Sequence, residues 1–161
     1  MQLKTSRFGL IEADDEKVLS FPWGLPGFEH LRRFVLLPGE KGNVFGWLQS
    51  VESETTAFLV ADPFVFYPGY FVDIPERDTR ELGLEAPSQA VVMVIVNVPE
   101  SNIKKATVNL LAPLVINTAR NLARQVILNS SSFGTQTPLF PATNQAVVPA
   151  ASGEGGLACW S

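Results

Sequence analysis

Ala90-Val91-Val92-Met93-Val94-Ile95-Val96-Asn97-Val98 is the stretch that decides the fold class. β-Branched side chains dominate it and no polar residue interrupts it before Asn97. It falls far short of the roughly 20 apolar residues a membrane helix needs, and reads as a strand covered on both faces. Working outward, the other apolar residues also come in short runs parted by Pro and Gly, the spacing of strands joined by turns. Val44 to Val51 and Thr56 to Ala61 flank the polar Glu52-Ser53-Glu54-Thr55 and predict a hairpin, and Phe34 to Leu37 runs into the turn dipeptide Pro38-Gly39. Leu3 to Ile11, kinked at Gly9, and Val18 to Phe21, beyond the acidic turn Asp14-Asp15-Glu16, predict another hairpin. Thr107 to Ala112, Leu114 to Thr118 and Gln125 to Leu128 complete the strand set. Helix is expected only at Phe28 to Phe34 and at Pro75 to Leu82, where Pro opens the first turn, Glu76 and Asp78 sit near the positive end and Gly83 stops it. The class is all-β with minor helix, as a compact antiparallel β-barrel-like single domain.

The chain has 161 residues, 46% hydrophobic and 17% charged, enough for one domain that buries about 68–70% of its unfolded surface without metals or disulfides. The domain is expected over residues 1–140. Pro141 to Ser161 carries a single charge, Glu154, and no period of 2 or 3.6, so it reads as a low-complexity, disordered tail. A net charge of −4 has the wrong sign for gripping phosphate backbones, and the scattered basic residues, adjacent only at Arg32-Arg33 and Lys104-Lys105, form no RNA-stacking platform. Direct nucleic-acid binding is therefore not expected, nor is membrane insertion. The single Cys159 and the lack of a signal-peptide pattern point to the reducing cytoplasm.

Catalytic signatures are sparse. His30 is the only histidine, which removes multi-histidine zinc sites and His-Glu-x-x-His chemistry by count, and beside Glu29 and Arg32 it reads as a surface residue. Gly153 to Ala158 matches G-x-G-x-x-A, but only three residues follow it, too few for the helix that a phosphate site requires. Asp14-Asp15-Glu16 lacks the spaced ligands of a calcium loop, and the Asn129-Ser130-Ser131 sequon has no export signal to make it meaningful. No cofactor and no metal are expected. The unusual segment is Asp62-Pro63-Phe64-Val65-Phe66-Tyr67-Pro68-Gly69-Tyr70-Phe71, whose prolines and glycine forbid regular pairing. Its five aromatics can hardly all face one core, so it is either a loop folded onto the barrel end or a docking site, with Tyr67 and Tyr70 the favoured anchors.

Several motifs carry a resemblance. Thr5-Ser6-Arg7-Phe8-Gly9, Phe21-Pro22 with Gly24-Leu25-Pro26-Gly27-Phe28-Glu29, Trp47-Leu48-Gln49-Ser50, Ala57-Phe58 to Asp62-Pro63, Tyr70, and Thr107-Val108-Asn109-Leu110-Leu111-Ala112-Pro113-Leu114-Val115-Ile116-Asn117 together resemble FliW, the flagellar assembly factor of bacteria. The resemblance runs from Met1 to about Phe140. It implies a non-enzymatic β-barrel protein that binds CsrA, a dimeric RNA-binding translational repressor, and flagellin, whose messenger CsrA represses. Flagellin occupies such a protein until secretion frees it to capture CsrA. The expected partner-binding residues are Trp47, Asp62, Phe64, Tyr67, Tyr70, Asn109 and Asn117, and the protein alone is expected to be monomeric. For the motif residues, plainer roles stand alongside. Gly24, Pro26 and Gly27 set turns, Asn109 and Asn117 bond neighbouring backbone, and Pro113 marks a bend. Two other readings compete: a small β-barrel enzyme using Asp or Glu as acid and base on a small ligand, and a self-associating structural flagellar part.

Overall fold

In the computed structural model, which describes residues 1–39, 44–129 and 133–140, strands follow one another along most of the chain. They are β1 (Gln2–Thr5), β2 (Gly9–Glu12), β3 (Leu19–Ser20), β4 (Arg33–Pro38), β5 (Phe45–Ser50) and β6 (Ala57–Ala61). Two short helices intervene, α1 (Pro63–Phe66) and α2 (Glu76–Glu81), before β7 (Ala90–Asn97), β8 (Thr107–Val108), β9 (Leu114–Asn117), β10 (Leu122–Gln125) and β11 (Thr137–Pro138).

β7 is the hub. It pairs antiparallel with β6 through Val60–Ile95 and Ala61–Val94, with β9 through Ala90–Asn117 to Met93–Leu114, and with β8 at its far end. The order β7-β6-β5-β4-β3-β10-β9 returns to β7, so seven strands close a barrel. Every pairing in that circuit is antiparallel except the contact between β3 and β10, a single parallel partner pair, Leu122 with Ser20. β8 and β11 extend the sheet outside the ring, and the β1–β2 hairpin stands apart.

Alternation along each strand sends one set of side chains inward. All seven barrel strands contribute to one apolar cluster: Leu19, Phe34, Leu48, Val60, Met93, Leu114 with Ile116, and Ala123. The turn after β3 adds Phe21, Leu25 and Leu31, with Phe21 edge-on to Phe34 at 5.2 Å between ring centres. That turn depends on Gly24: its φ is +66°, and a Cβ there would lie 2.5 Å from the Glu29 Cα. On the other face of β7, Val92, Val94 and Val96 join Tyr70, Leu82, Leu110, Val126, Leu128 and Leu139 in a second, outer cluster. Leu3 and Ala13 beside the hairpin pack on Val35 in a third.

The barrel, the β5–β6 hairpin, β7 and the helix at Glu76–Glu81 agree with the sequence reading. Four expectations are corrected. The N-terminal hairpin forms inside the first segment, β1 with β2, because Thr5 ties the turn by donating to the Gly9 carbonyl and accepting from the Phe8 N–H; Val18 to Phe21 instead enters the barrel as β3. Phe28 to Phe34 is no helix, since the Phe28 N–H donates back to the Leu25 carbonyl and Phe34 belongs to β4. Thr107 to Ala112 is a strand for only two residues, because Asn109 accepts from the Ala112 N–H and turns the chain. The closing strand is Leu122–Gln125 and not Gln125 to Leu128; Val126 and Leu128 donate to the carbonyls of Pro113 and Leu111 outside any ladder. The tail, Cys159 and the G-x-G-x-x-A match lie outside the described residues.

Candidate functional site

The aromatic segment starts as a cap. Asp62 accepts the Phe64 N–H on Oδ1 at 3.0 Å, Pro63 occupies the first helical turn of α1, and the Tyr67 N–H closes that turn on the Pro63 carbonyl at 2.9 Å. Beyond it, Pro68-Gly69 reverses the chain and drives the Tyr70 ring inward, between Phe64 at 5.6 Å and Phe133 at 5.1 Å. The Tyr70 hydroxyl donates to the Leu110 carbonyl at 2.6 Å, and burial pushes its pKa upward. Tyr67 donates to the Pro138 carbonyl, and Phe66 packs between Phe45 and Phe140. Four of the five aromatics therefore fasten the 133–140 segment and the outer cluster. Phe71 is the member left out, 67% exposed.

Tyr70 is only 5% exposed and Tyr67 is half-buried with its hydroxyl engaged, so neither is presented as a free ring. Asp62 and Asn117 are also buried. Asn117 donates to the carbonyls of Leu82 and Gly83 and accepts from the Ala119 N–H, while Asn109 accepts from Ala112, the backbone-bonding roles anticipated for both. Trp47 lies away from the aromatic segment, on the outer face of β5, with the Arg7 guanidinium 4.1 Å above its ring and Phe8 edge-on at 6.0 Å. Of the seven nominated residues, Asp62, Phe64, Tyr67 and Tyr70 are brought together around α1; Asn117, Asn109 and Trp47 sit at three other places.

What the segment does build is a cleft. Phe64 forms one wall of an open apolar hollow of about 500 Å³ on the outer face of β7, with Val72, Ile74, Leu84, Ala90 and Val92. Thr79 of α2, Glu85 and Ala86 complete its rim. The chain bordering it, residues 73–85, holds five acids (Asp73, Glu76, Asp78, Glu81, Glu85) against two bases, Arg77 and Arg80. A hollow of this kind suits an apolar side-chain cluster from a partner whose surroundings are basic.

α2 is held over this hollow by polar contacts. Arg124 of β10 donates from Nη1 to Glu81 Oε2 at 2.9 Å and pairs ionically with Asp78 Oδ1 at 3.1 Å, and its guanidinium lies 4.3 Å from the Trp23 ring centre. Arg77, bonded to the other oxygen of Glu81, and then Arg124 hold that carboxyl below the usual carboxylate range. Sequence reading missed this cluster and the cleft-lining Val72, Ile74 and Leu84. The one local signal was Asp78 and Glu81 spaced i, i+3 on a helix with no apolar face.

Asp62 is the acid most changed by its surroundings. Burial raises its pKa from 3.8 to about 6, against the opposing pull of the Phe64 N–H, and among the described residues its Oδ2 has no hydrogen-bond partner. His30 is exposed, as expected. Among the described residues no group of three or more His, Cys, Asp or Glu is placed to hold a metal ion, and no helix is long and apolar enough to cross a membrane.

Comparison with known proteins converges on one family. The model of the FliW protein family matches residues 2–139. A flagellar assembly factor FliW of Moorella thermoacetica is 39% identical over 158 residues, covering 97% of this chain and all of that protein, so the likeness reaches well past Phe140. That of Natranaerobius thermophilus is 41% identical over 140 residues, 87% of this chain and 93% of its own. A crystal structure of the flagellar assembly factor FliW superimposes with a TM-score of 0.81 at 31% identity, covering 89% of this chain and all of that one.

Proposed function

Taking as premise that this chain belongs to the FliW family, we propose that it is a flagellar assembly factor that works by binding, alternately capturing the translational repressor CsrA and flagellin in the cytoplasm. The observation that carries the proposal is the apolar cleft beside β7 with its acidic border. CsrA, a protein that binds RNA, presents basic surface, and a carboxylate-rich rim steers and orients such a partner without any RNA contact. Flagellin competes for the same hollow through an apolar segment of its own. One site of this size takes one partner at a time. A standard interface takes about 800 Å² from each side, and the domain is small. Release of flagellin by secretion then frees the cleft for CsrA, and repression of the flagellin messenger is lifted.

Among the nominated residues, Phe64 lines the cleft directly, Asp62, Tyr67 and Tyr70 position it, and Asn117 fixes the α2 side. Phe71 joins them as the exposed aromatic at the same segment. The test is calorimetric titration of CsrA into the protein with and without saturating flagellin. By linkage, each ligand weakens the other by the same factor. A CsrA affinity unchanged by flagellin, or a stable ternary complex on sizing, contradicts the proposal. Salt-sensitive binding of CsrA target RNA by this protein alone would replace it with direct RNA binding.

A further inference from the structure

The wall that α2 gives the cleft, at Thr79, is attached by ion pairs and not by apolar packing. The helix reads Glu-Arg-Asp-Thr-Arg-Glu over Glu76–Glu81: it has no apolar stripe and buries none of its residues. Its grip on the barrel is the Arg124 clasp on Asp78 and Glu81. Just past its end, Leu82 is buried and Asn117 Nδ2 bonds the Leu82 carbonyl at 2.8 Å. One flank is Pro75; the other is Gly83, whose φ of +68° ends the helix, with its carbonyl bonded by Asn117 Nδ2 and the Arg120 side chain packed against it. The fixed point is thus at one end and the clasp in the middle.

A six-residue helix held this way is not stable on its own account, because so short a helix gains too few bonds to repay nucleation. The clasp decides its position. Its side chains are partly buried, so the pair is stronger than a fully exposed one, yet it is still made of charges that another cation can satisfy. Arg124 would not be stranded by release, since its guanidinium lies on Trp23.

We propose that α2 is a hinged flap over the apolar cleft, fastened by Arg124, and that the occupant it admits is an apolar partner segment bearing Lys or Arg, which takes over Asp78 and Glu81 as the flap moves. This rests on the docking role of the cleft, but the flap itself is tested in the free protein. Hydrogen exchange is read at the Leu82, Gly83 and Leu84 amides, which donate to the carbonyls of Asp78, Arg80 and Thr79, and at β7 as reference. Arg124→Gln is expected to speed exchange at those three amides about tenfold and leave β7 unchanged, with Arg124→Lys restoring part of the protection. Unchanged exchange, or an equal rise in β7, overturns the flap. Where Arg124→Gln fails to fold, the pair Asp78→Asn with Glu81→Gln undoes the same clasp from the solvent side and is expected to speed the same amides.

The two variants part company on the partner, and that difference separates a flap from a merely structural ion pair. With CsrA as the titrant, Arg124→Gln leaves the two carboxylates free for the incoming cation and is expected to strengthen binding several-fold. Asp78→Asn with Glu81→Gln removes the cation's destination and is expected to weaken it about tenfold. Equal losses in both variants overturn the proposal. A wild-type protein that ignores CsrA while its α2 exchange responds as stated would defeat the docking role and the assigned occupant, and leave the flap standing.

Discussion

The interior of the barrel and the flank outside β7 share one strand, whose alternate residues face each way. Inward, Met93 joins a cluster to which every strand of the ring contributes, and in it Phe34, Leu48, Val60 and Leu114 are wholly buried. Outward, Val92 and Val94 meet a layer supplied by loops and short helices, with half-buried residues at its margin and an open cleft. The difference teaches where stability and binding are separated. Inside, seven strands constrain each side chain from all directions; outside, single turns hold theirs through a few hydrogen bonds and ion pairs. Strand geometry supplies a dry core, and the loop layer supplies a surface able to change partners.

The sharpest way to break that comparison is to hollow out the interior. Leu114→Ala is expected to cost about 2–5 kcal/mol in denaturant unfolding, since a wholly buried leucine leaves a cavity that a closed ring cannot collapse. A cost under 1 kcal/mol would mean that the interior is as yielding as the flank. On the cleft side, Ile74→Glu is expected to change stability little but to cost about 2 kcal/mol of CsrA binding by calorimetry. Wild-type affinity there would move the interface elsewhere, Trp47 with its Arg7 and Phe8 cover being the next place to test.

Asp62 sharpens the comparison through pH. Its folded pKa of about 6 stands above the unfolded 3.8, so the folded state holds the proton more tightly and wild-type stability falls as pH rises from about 4 through about 6. Asp62→Asn keeps an oxygen for the Phe64 N–H and carries no charge, so it is expected to match wild type near pH 4 and to be more stable by about 1–2 kcal/mol at pH 8. A gap that does not vary with pH would show that the carboxyl gains solvation or a partner. The smallest effect is expected from truncation after Phe140: Leu139 closes the outer cluster and Phe140 already stands on Phe66, so stability should move by less than about 0.5 kcal/mol. A fall in melting temperature of many degrees would extend the domain beyond 140.

The strands were legible because pattern and chemistry agree there. The run from Ala90 and the pair around Glu52 to Thr55 hold their registers through side chains visible in one stretch of chain. Reading failed where a single side chain outvotes a periodicity. Thr5 closing a turn, Asn109 ending a strand after Val108, and the Phe28 amide bonding Leu25 are each decided by one or two hydrogen bonds. The candidate site was half legible. Aromatic crowding between Phe64 and Phe71 marked the right segment, but which rings turn inward depends on the Leu110 and Pro138 carbonyls, far away in sequence. The Arg124 cluster, joining residues 23, 78, 81 and 124, leaves only the i, i+3 spacing of Asp78 and Glu81 as a short-range trace.

The parallel contact of β3 with β10 bears on the order in which the molecule is assembled. β4, β5 and β6 are successive hairpin neighbours and can zip locally, whereas Leu122 meets Ser20 only after nearly the whole described chain has been gathered, and does so with one ladder pair and the Ser20 N–H bonded to the Asn121 carbonyl. Long loops make such encounters late, after the local hairpins have formed. Leu19→Ala should therefore speed unfolding and leave the folding rate nearly untouched, a φ-value near zero, while Leu48→Ala in the central hairpin slows folding. Equal φ-values at the two positions would mean that the ring closes as it forms. Otherwise a nascent chain stays an open sheet, its interior leucines in water, until the segment around Leu122 arrives to shut it.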